Sequence, residues 1–416
     1  MTVTQQAPPG TGFNHSNGLT TFTVSLKPPP VNGAIFSNKS VFQETYIPQK
    51  ILHRDQQIRE TWQNLNNIEE NCRPGNMLWM GGLGSGKTVL VRHICGALPS
   101  GCVSIYVNCG RENTRTRIIM SALDQMGVPV VSGFDSMHYV DLFEQAVKNY
   151  RFVAMTLDET DKFLNRKDSE HFEFFYWISR LLQNVFVIML TNRVDFQIQL
   201  RRTLDPRVLD TFRWQTIVFP DYGCGELLDI LWDRFQVGFK PNTYSEDRAE
   251  AFAIAKYAYD RGGGAREAIA LALRVGETAE DRNATRIEPQ DIEAGKQIYE
   301  KVKELDFIRA LPKVERRVLS IVLAKEPTNE EGYSLFRSNA EESEEASSYS
   351  VYQDSLGKLE VKGLVHKWKK PRTRGRGSEP MRLSVPPEMR PIILEAMQEP
   401  DTLPPQITKW SEEPQP

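Results

Sequence analysis

The feature that most restricts this chain is Gly81-Gly82-Leu83-Gly84-Ser85-Gly86-Lys87-Thr88, which fits G-x-x-x-x-G-K-[ST] at every position. It follows the strand-like Met77-Leu78-Trp79-Met80 and opens the helical run Val89 to Ala97. Strand, loop and helix thus stand in the order a phosphate-binding loop needs. Glycines at such a turn let backbone N–H groups approach phosphate oxygens without Cβ clashes, and the helix N-terminus adds partial positive charge. Gly82, Leu83, Gly84, Ser85, Gly86, Lys87, Thr88 and Val89 are therefore expected to hold ATP or ADP. Lys87 would reach the β/γ-phosphates and the Thr88 hydroxyl would ligate Mg²⁺.

The surrounding pattern is α/β. Apolar runs of strand length occur at Met77 to Met80, Val103 to Val107, Phe152 to Leu157, Val185 to Leu190 and Thr216 to Phe219. Helical spacing marks Asp55 to Ile68, Thr88 to Ala97, Thr116 to Gln125, Tyr139 to Tyr150 and His171 to Leu182. Alternation of this kind predicts a mainly parallel sheet with helices on both faces. Phe152 to Leu157 runs into Asp158 and Glu159. At the carboxyl end of a buried strand Asp158 can hold Mg²⁺, and Glu159 is placed to orient and activate a hydrolytic water. Asn192 follows the next strand, where its amide either holds the attacking water or caps the following turn. After Pro220 strand signals stop, and four helical stretches follow between Gly225 and Leu305.

Composition narrows the class. The 416 residues carry 51 Lys+Arg against 54 Asp+Glu, which excludes a uniformly basic nucleic-acid coat but not a local basic patch. Cys72, Cys95, Cys102, Cys109 and Cys224 are scattered and odd in number, which suits a reducing cytoplasm and gives no zinc pattern. No apolar run is long enough to span a bilayer, and the first residues lack a leader pattern, so no membrane association is expected. Residues 1–45 are rich in Gly, Pro, Ser and Thr, and 398–416 are rich in Pro; both read as flexible tails.

The order Tyr46-Ile47-Pro48, His53-Arg54-Asp55, the phosphate loop, Leu157-Asp158-Glu159-Thr160-Asp161-Lys162, Thr191-Asn192 and Leu204-Asp205-Pro206-Arg207-Val208-Leu209 resembles archaeal replication initiators. These are the AAA+ ATPases of origin-recognition and cell-division-control type. The resemblance covers roughly Tyr46 to Val385. It implies a AAA+ nucleotide-binding base (46–220), a helical lid (221–305) and a winged-helix DNA-binding domain (306–397). It implies that Asn192 is a first sensor and that Arg266, in Gly263-Gly264-Ala265-Arg266, reaches the γ-phosphate from the lid. Arg207 matches an arginine used on a neighbour's nucleotide, with Arg201, Arg202 and Arg213 as competitors for that role. Ile47, Pro48, His53 and Arg54 fall in the segment that lines the adenine pocket. Gly127 to Tyr139 falls where these initiators carry an extra DNA-contacting element, here without Lys or Arg. Three departures stand out: Thr160 for an aliphatic residue, Arg193 for an acid, and Gly264 for an Asp.

The basic patch lies at Lys362 to Arg382, where eight Lys/Arg face Glu379 alone. With Pro371, Gly375 and Gly377 it reads as a hairpin tip, and Ser347 to Val361 reads as a helix before it. Helix then basic hairpin is the winged-helix order, with the helix in the major groove. Lys358, Lys367, Lys369, Lys370, Arg372, Arg374 and Arg376 are the expected DNA contacts, the arginines suiting a minor groove. A solvated basic loop is the alternative. Val351, Leu356, Leu359 and Val361 are assigned to the core, and Ser348, Tyr349, Tyr352, Gln353 and Lys358 to the exposed face. Glu330, Glu331, Glu341, Glu342, Glu344 and Glu345 precede this helix and would repel phosphates unless they face away.

The leading expectation is an ATP-dependent replication initiator of the cytoplasm and nucleoid. It would bind duplex origin DNA and recruit or load the replicative helicase, with slow hydrolysis as a switch and possible self-association through Arg207. The alternatives are a AAA+ regulator of transposition or another DNA transaction, and a nucleotide-holding repressor.

Overall fold

The computed structural model describes residues 33–131, 133–164, 170–338, 348–368 and 381–397. Five parallel strands form one sheet: β1 (Asn76–Gly81), β2 (Cys102–Asn108), β3 (Phe152–Asp158), β4 (Val185–Thr191) and β5 (Trp214–Phe219), in the order β2-β3-β4-β1-β5. Each contains the apolar run that marked it in the sequence. Successive residues of β4 serve opposite faces. Val185, Val187 and Met189 enter one core, while Phe186, Ile188 and Leu190 enter the other. A strand buried on both faces is apolar at every position, which is why these runs do not alternate.

One face is covered by α1 (Asp55–Leu65) and α2 (Lys87–Gly96). The other carries α3 (Arg115–Gln125), α4 (Ser136–Val147), α5 (Thr160–Leu164), α6 (Glu170–Leu181), α7 (Phe196–Thr203) and α8 (Pro206–Thr211). The short α5, α7 and α8 had no periodic signal of their own. The β2 edge is closed by a side chain. Gln125 donates to the Tyr106 carbonyl at 2.9 Å and accepts from the Tyr106 N–H at 2.9 Å. Those groups would otherwise be open to strand pairing.

The helical region holds α9 (Cys224–Gly238), α10 (Ala249–Asp260), α11 (Gly264–Asp281) and α12 (Pro289–Arg309) around their own core. The last helix runs past the expected boundary at residue 305. Ile292 packs in the lid core, while Leu305 and Ile308 pack in the C-terminal core. The expected tail over residues 1–45 is also too long. Ile35 and Phe42 are buried in the lid core, and Phe36 pairs with Phe239. Lys240 donates its N–H to the Ile35 carbonyl at 2.8 Å. Burying an aromatic or Ile side chain of this kind is worth about 1.5–3 kcal/mol, enough to order a segment of poor local propensity.

The C-terminal region comprises α13 (Lys313–Lys325), α14 (Asn329–Ser338), α15 (Tyr349–Val361), β6 (His366–Trp368), β7 (Arg382–Ser384) and α16 (Arg390–Met397). The two strands are antiparallel, with Lys367 opposite Leu383. Two assignments on α15 are corrected. Tyr352 is fully buried and Val361 is 90% exposed. The core stripe is Tyr352, Leu356 and Leu359, at i, i+4 and i+7. Val361 lies two residues beyond Leu359, on the opposite side of the helix. Glu331 accepts the Thr328 N–H at 2.8 Å as the Thr328 hydroxyl accepts the Glu331 N–H. That acid therefore serves as a helix cap. Glu341, Glu342, Glu344, Glu345 and the expected 398–416 tail lie outside the described residues.

Candidate nucleotide site

The phosphate loop leaves β1, the acid pair leaves β3 and Asn192 follows β4, so all meet at the carboxyl edge of the sheet. In open α/β sheets that edge is where ligands bind. Lys87 is 6% exposed. Its ammonium donates to the Gly81 and Gly82 carbonyls at 2.8 Å each, to Ser85 Oγ at 3.2 Å and to Asn192 Oδ1 at 2.9 Å. Burial lowers its pKa to about 8, and Arg54 adds to the lowering; the Asp158 and Asp221 carboxylates act in the opposite direction.

Asp158 is held from three sides. Its Oδ2 accepts from the Thr88 hydroxyl at 3.1 Å and from the Tyr106 hydroxyl, and its Oδ1 accepts the Glu159 N–H at 2.8 Å. Burial, then the bond to Asp158, raises the Tyr106 phenol well above its ordinary value, so Tyr106 stays a donor. Thr88 and Asp158 are hard oxygen donors beside the phosphate loop. Among the described residues no cluster of three metal-ligating side chains exists. Mg²⁺ fits this arrangement, because it takes one or two protein oxygens together with substrate phosphates and water.

Glu159 has φ of 52°, in the left-handed region. A non-glycine residue held there costs about 1–3 kcal/mol, and such strain gathers at functional positions. Asn108 at the end of β2 donates from Nδ2 to Glu159 Oε1 at 3.4 Å, and its own Oδ1 accepts the Gly110 N–H at 2.8 Å. The acid is thus aimed by its neighbour strand.

These groups line a cavity of about 880 Å³, whose far wall is formed by Phe42, Tyr46, Ile47 and Arg234 and by the lid residues Arg266 and Ile269. That size suits a nucleotide. The lid touches the loop directly: Ala265 donates its N–H to the Gly84 carbonyl at 3.3 Å. Gly264 has φ of 63°, and a Cβ there would lie 2.9 Å from the Leu83 carbonyl oxygen. An Asp at this position would push into the phosphate loop, which accounts for the departure noted in the sequence. Arg266 forms a two-pronged pair with Glu44, Nε to Oε1 and Nη2 to Oε2, both 2.6 Å. The pair holds Arg266 above and Glu44 below their ordinary pKa values.

Three residues of the expected adenine segment do not line this cavity. Pro48 lines a smaller adjacent one with Ile51 and Ile230. His53 bonds to Asp229 of α9 at 3.1 Å. Arg54 is buried beneath the loop, donating to the carbonyls of Ser85 at 2.9 Å and Pro220 at 2.7 Å with its guanidinium 3.7 Å from the Tyr222 ring centre. It braces the loop from behind. Of the segment Tyr46 to Arg54, Tyr46 and Ile47 face the cavity, joined by Phe42 to Thr45 upstream.

Arg207 is 77% exposed at its side chain, bonds to Asp205 and does not line its own chain's cavity. Lys358 pairs with Asp354 at 2.6 Å and Lys367 with Glu360 at 2.7 Å. Lys369, Lys370, Arg372, Arg374 and Arg376 lie outside the described residues. Glu44, Tyr106 and Asn108 join the site without being marked by any motif. The register of β2 against β3, which places Asn108 beside Asp158, carries the signal for Asn108.

Residues 72–202 match the AAA domain family, and residues 228–297 match the Cdc6 AAA+ ATPase-type lid domain. The ORC1-type DNA replication protein 1 of Sulfolobus acidocaldarius is 30% identical over 305 residues, covering 70% of this chain and 74% of that protein. The Aeropyrum pernix ORC1 protein, solved in complex with DNA, has a TM-score of 0.72 at 24% identity, covering 89% of this chain and 98% of its own. The Aeropyrum pernix ORC2 protein, solved in ADPNP–ADP complexes, has a TM-score of 0.59 at 18% identity, covering 88% and 98%.

Proposed function

This chain belongs to the family of ORC1-type DNA replication proteins, and from that premise we propose that it marks origin DNA in its ATP-bound form and recruits or loads the replicative helicase. It is a nucleotide-binding AAA+ ATPase. The finer roles are our assignments. Gly82 to Val89 cradle the phosphates, Lys87 transfers its hydrogen bonds from the loop carbonyls to phosphate oxygens, and Ile47 contacts the base. Thr88 and Asp158 would hold Mg²⁺, which when bound neutralises charge on the phosphates. Glu159, aimed by Asn108, orients the attacking water and accepts its proton, and Asn192 steadies that water. Arg266 carries the state of the γ-phosphate into the lid, and Arg207 projects toward a neighbouring copy's nucleotide. We assign the protein to the cytoplasm, at the nucleoid. Among the described residues no helix is long and apolar enough to cross a membrane.

The observation that carries this reading is the continuity of α12. Its 21 residues pack at one end in the lid that presents Arg266 to the cavity and at the other in the core beneath α15. A helix of that length is a rod of about 30 Å. Lid closure on a γ-phosphate therefore reorients the C-terminal region as a body. We read that region as a winged helix, with α15 in the major groove and the β6–β7 hairpin as the wing. The exposed Tyr349, which accepts from Asn329 at 3.2 Å, is placed to meet base edges.

The test is equilibrium binding of labelled duplex fragments from the protein's own replicon and of unrelated duplexes, at about 150 mM salt with ATP. An initiator binds a discrete replicon fragment about 10³-fold or more tightly than the unrelated ones. Equal affinity for all duplexes would favour a regulator that coats DNA and would sink the origin-marking reading.

A further inference from the structure

Glu44 sits where three facts meet. The segment before it is fastened to the lid: Ile35 and Phe42 are buried in the lid core, and Lys39 pairs with Glu277 of α11 at 2.9 Å. The segment after it, Tyr46 and Ile47, walls the cavity. Its carboxylate grips both prongs of the Arg266 guanidinium at 2.6 Å. Carboxylate and phosphate present matching oxygen pairs to a guanidinium fork, so the two are competitors for one donor set.

We propose that Glu44 sets the preference of this pocket between ATP and ADP, by clamping the Arg266 guanidinium that a γ-phosphate must capture. The inference rests on the reading above that Arg266 meets the γ-phosphate. ADP has no group to offer Arg266 and binds with the clamp intact. ATP binds at full strength only after the guanidinium leaves Glu44. A ligand that must displace an existing partner loses apparent affinity by the strength of that partner's hold. Both side chains are more than half exposed, Arg266 at 57% and Glu44 at 68%. The hold is therefore weak and reversible, as a clamp on a working switch must be.

The experiment is titration of the full-length protein with ATP and with ADP, each in competition with a fluorescent nucleotide. The set is wild type, Glu44→Gln, Arg266→Ala and the double variant. Glu44→Gln is expected to raise the ATP-over-ADP preference about two- to fivefold, the range of an exposed ion pair, by tightening ATP alone. In the Arg266→Ala background the same substitution is expected to change nothing. An unchanged or lowered preference in Glu44→Gln overturns the competition and makes Glu44 a support for Arg266 instead. A rise that persists without Arg266 overturns it equally. The Arg266→Ala single variant tests the underlying reading separately: if its preference equals that of wild type, Arg266 does not meet the γ-phosphate, and the inference falls with it.

Discussion

Glu159→Gln should lower steady-state ATP hydrolysis by about 10²–10⁴-fold while ATP affinity stays within about threefold. Gln keeps the size of the side chain and the Asn108 contact, which needs only an acceptor oxygen on residue 159. What it removes is the ability to take a proton from water. The Glu159 N–H donated to the Asp158 carboxylate at 2.8 Å does not involve the side chain and is kept in the variant. The variant would then hold ATP without turning it over. Measuring turnover and affinity on one preparation separates this from misfolding. Unchanged turnover would remove Glu159 from the mechanism.

Lys87→Ala should weaken ATP by about 10²–10⁴-fold, since hydrogen bonds to charged groups are worth about 1.5–3 kcal/mol each and one ammonium can make two. The lysine also predicts a pH dependence of two opposite signs. Burial holds the ammonium at about 8 in the free protein, against 10.5 for an ordinary lysine. Binding needs the charged form, so ATP affinity falls as pH rises through 8, about tenfold per unit. Stability of the nucleotide-free protein moves the other way. Between 8 and 10.5 the unfolded chain binds more protons at this site than the folded one, so folding gains as pH rises. Isothermal titration at pH 7, 8 and 9, beside thermal unfolding over the same range, checks both. A flat affinity profile would contradict a Lys87 ammonium that loses its proton near 8 in the free protein.

The phosphate loop and all five strands were legible in the sequence because each is written in adjacent residues. Phe152 to Leu157 is apolar at every position but Thr156 because it lies between two helical layers, and Asp158 and Glu159 follow where the strand surfaces. What was not legible depends on distant partners. Ile35 and Phe42 look like stray apolar residues among glycine, proline and serine; the lid core about 200 positions away explains them, with Phe42 against Phe235 and Phe239. Arg54 reads as a pocket residue from its neighbours, yet its three acceptors are backbone carbonyls that no sequence pattern announces. Glu44 is one acid in a plain stretch until the lid brings Arg266 to it. On α15 the helix was legible but its phase was not, because Tyr352 suits either an exposed or a buried place and is buried against Phe336.

On the function proposed above, nucleotide at this pocket governs recognition of specific duplex sites. Footprinting the purified protein on its replicon's DNA, with ATP and with ADP at about 150 mM salt, tests it most directly. Protection of a few discrete repeats is expected, its extent differing between the two nucleotides and that difference being lost in Lys87→Ala. Uniform ATP-dependent coating without preferred sites, or discrete protection identical with ATP, with ADP and in Lys87→Ala, would contradict it.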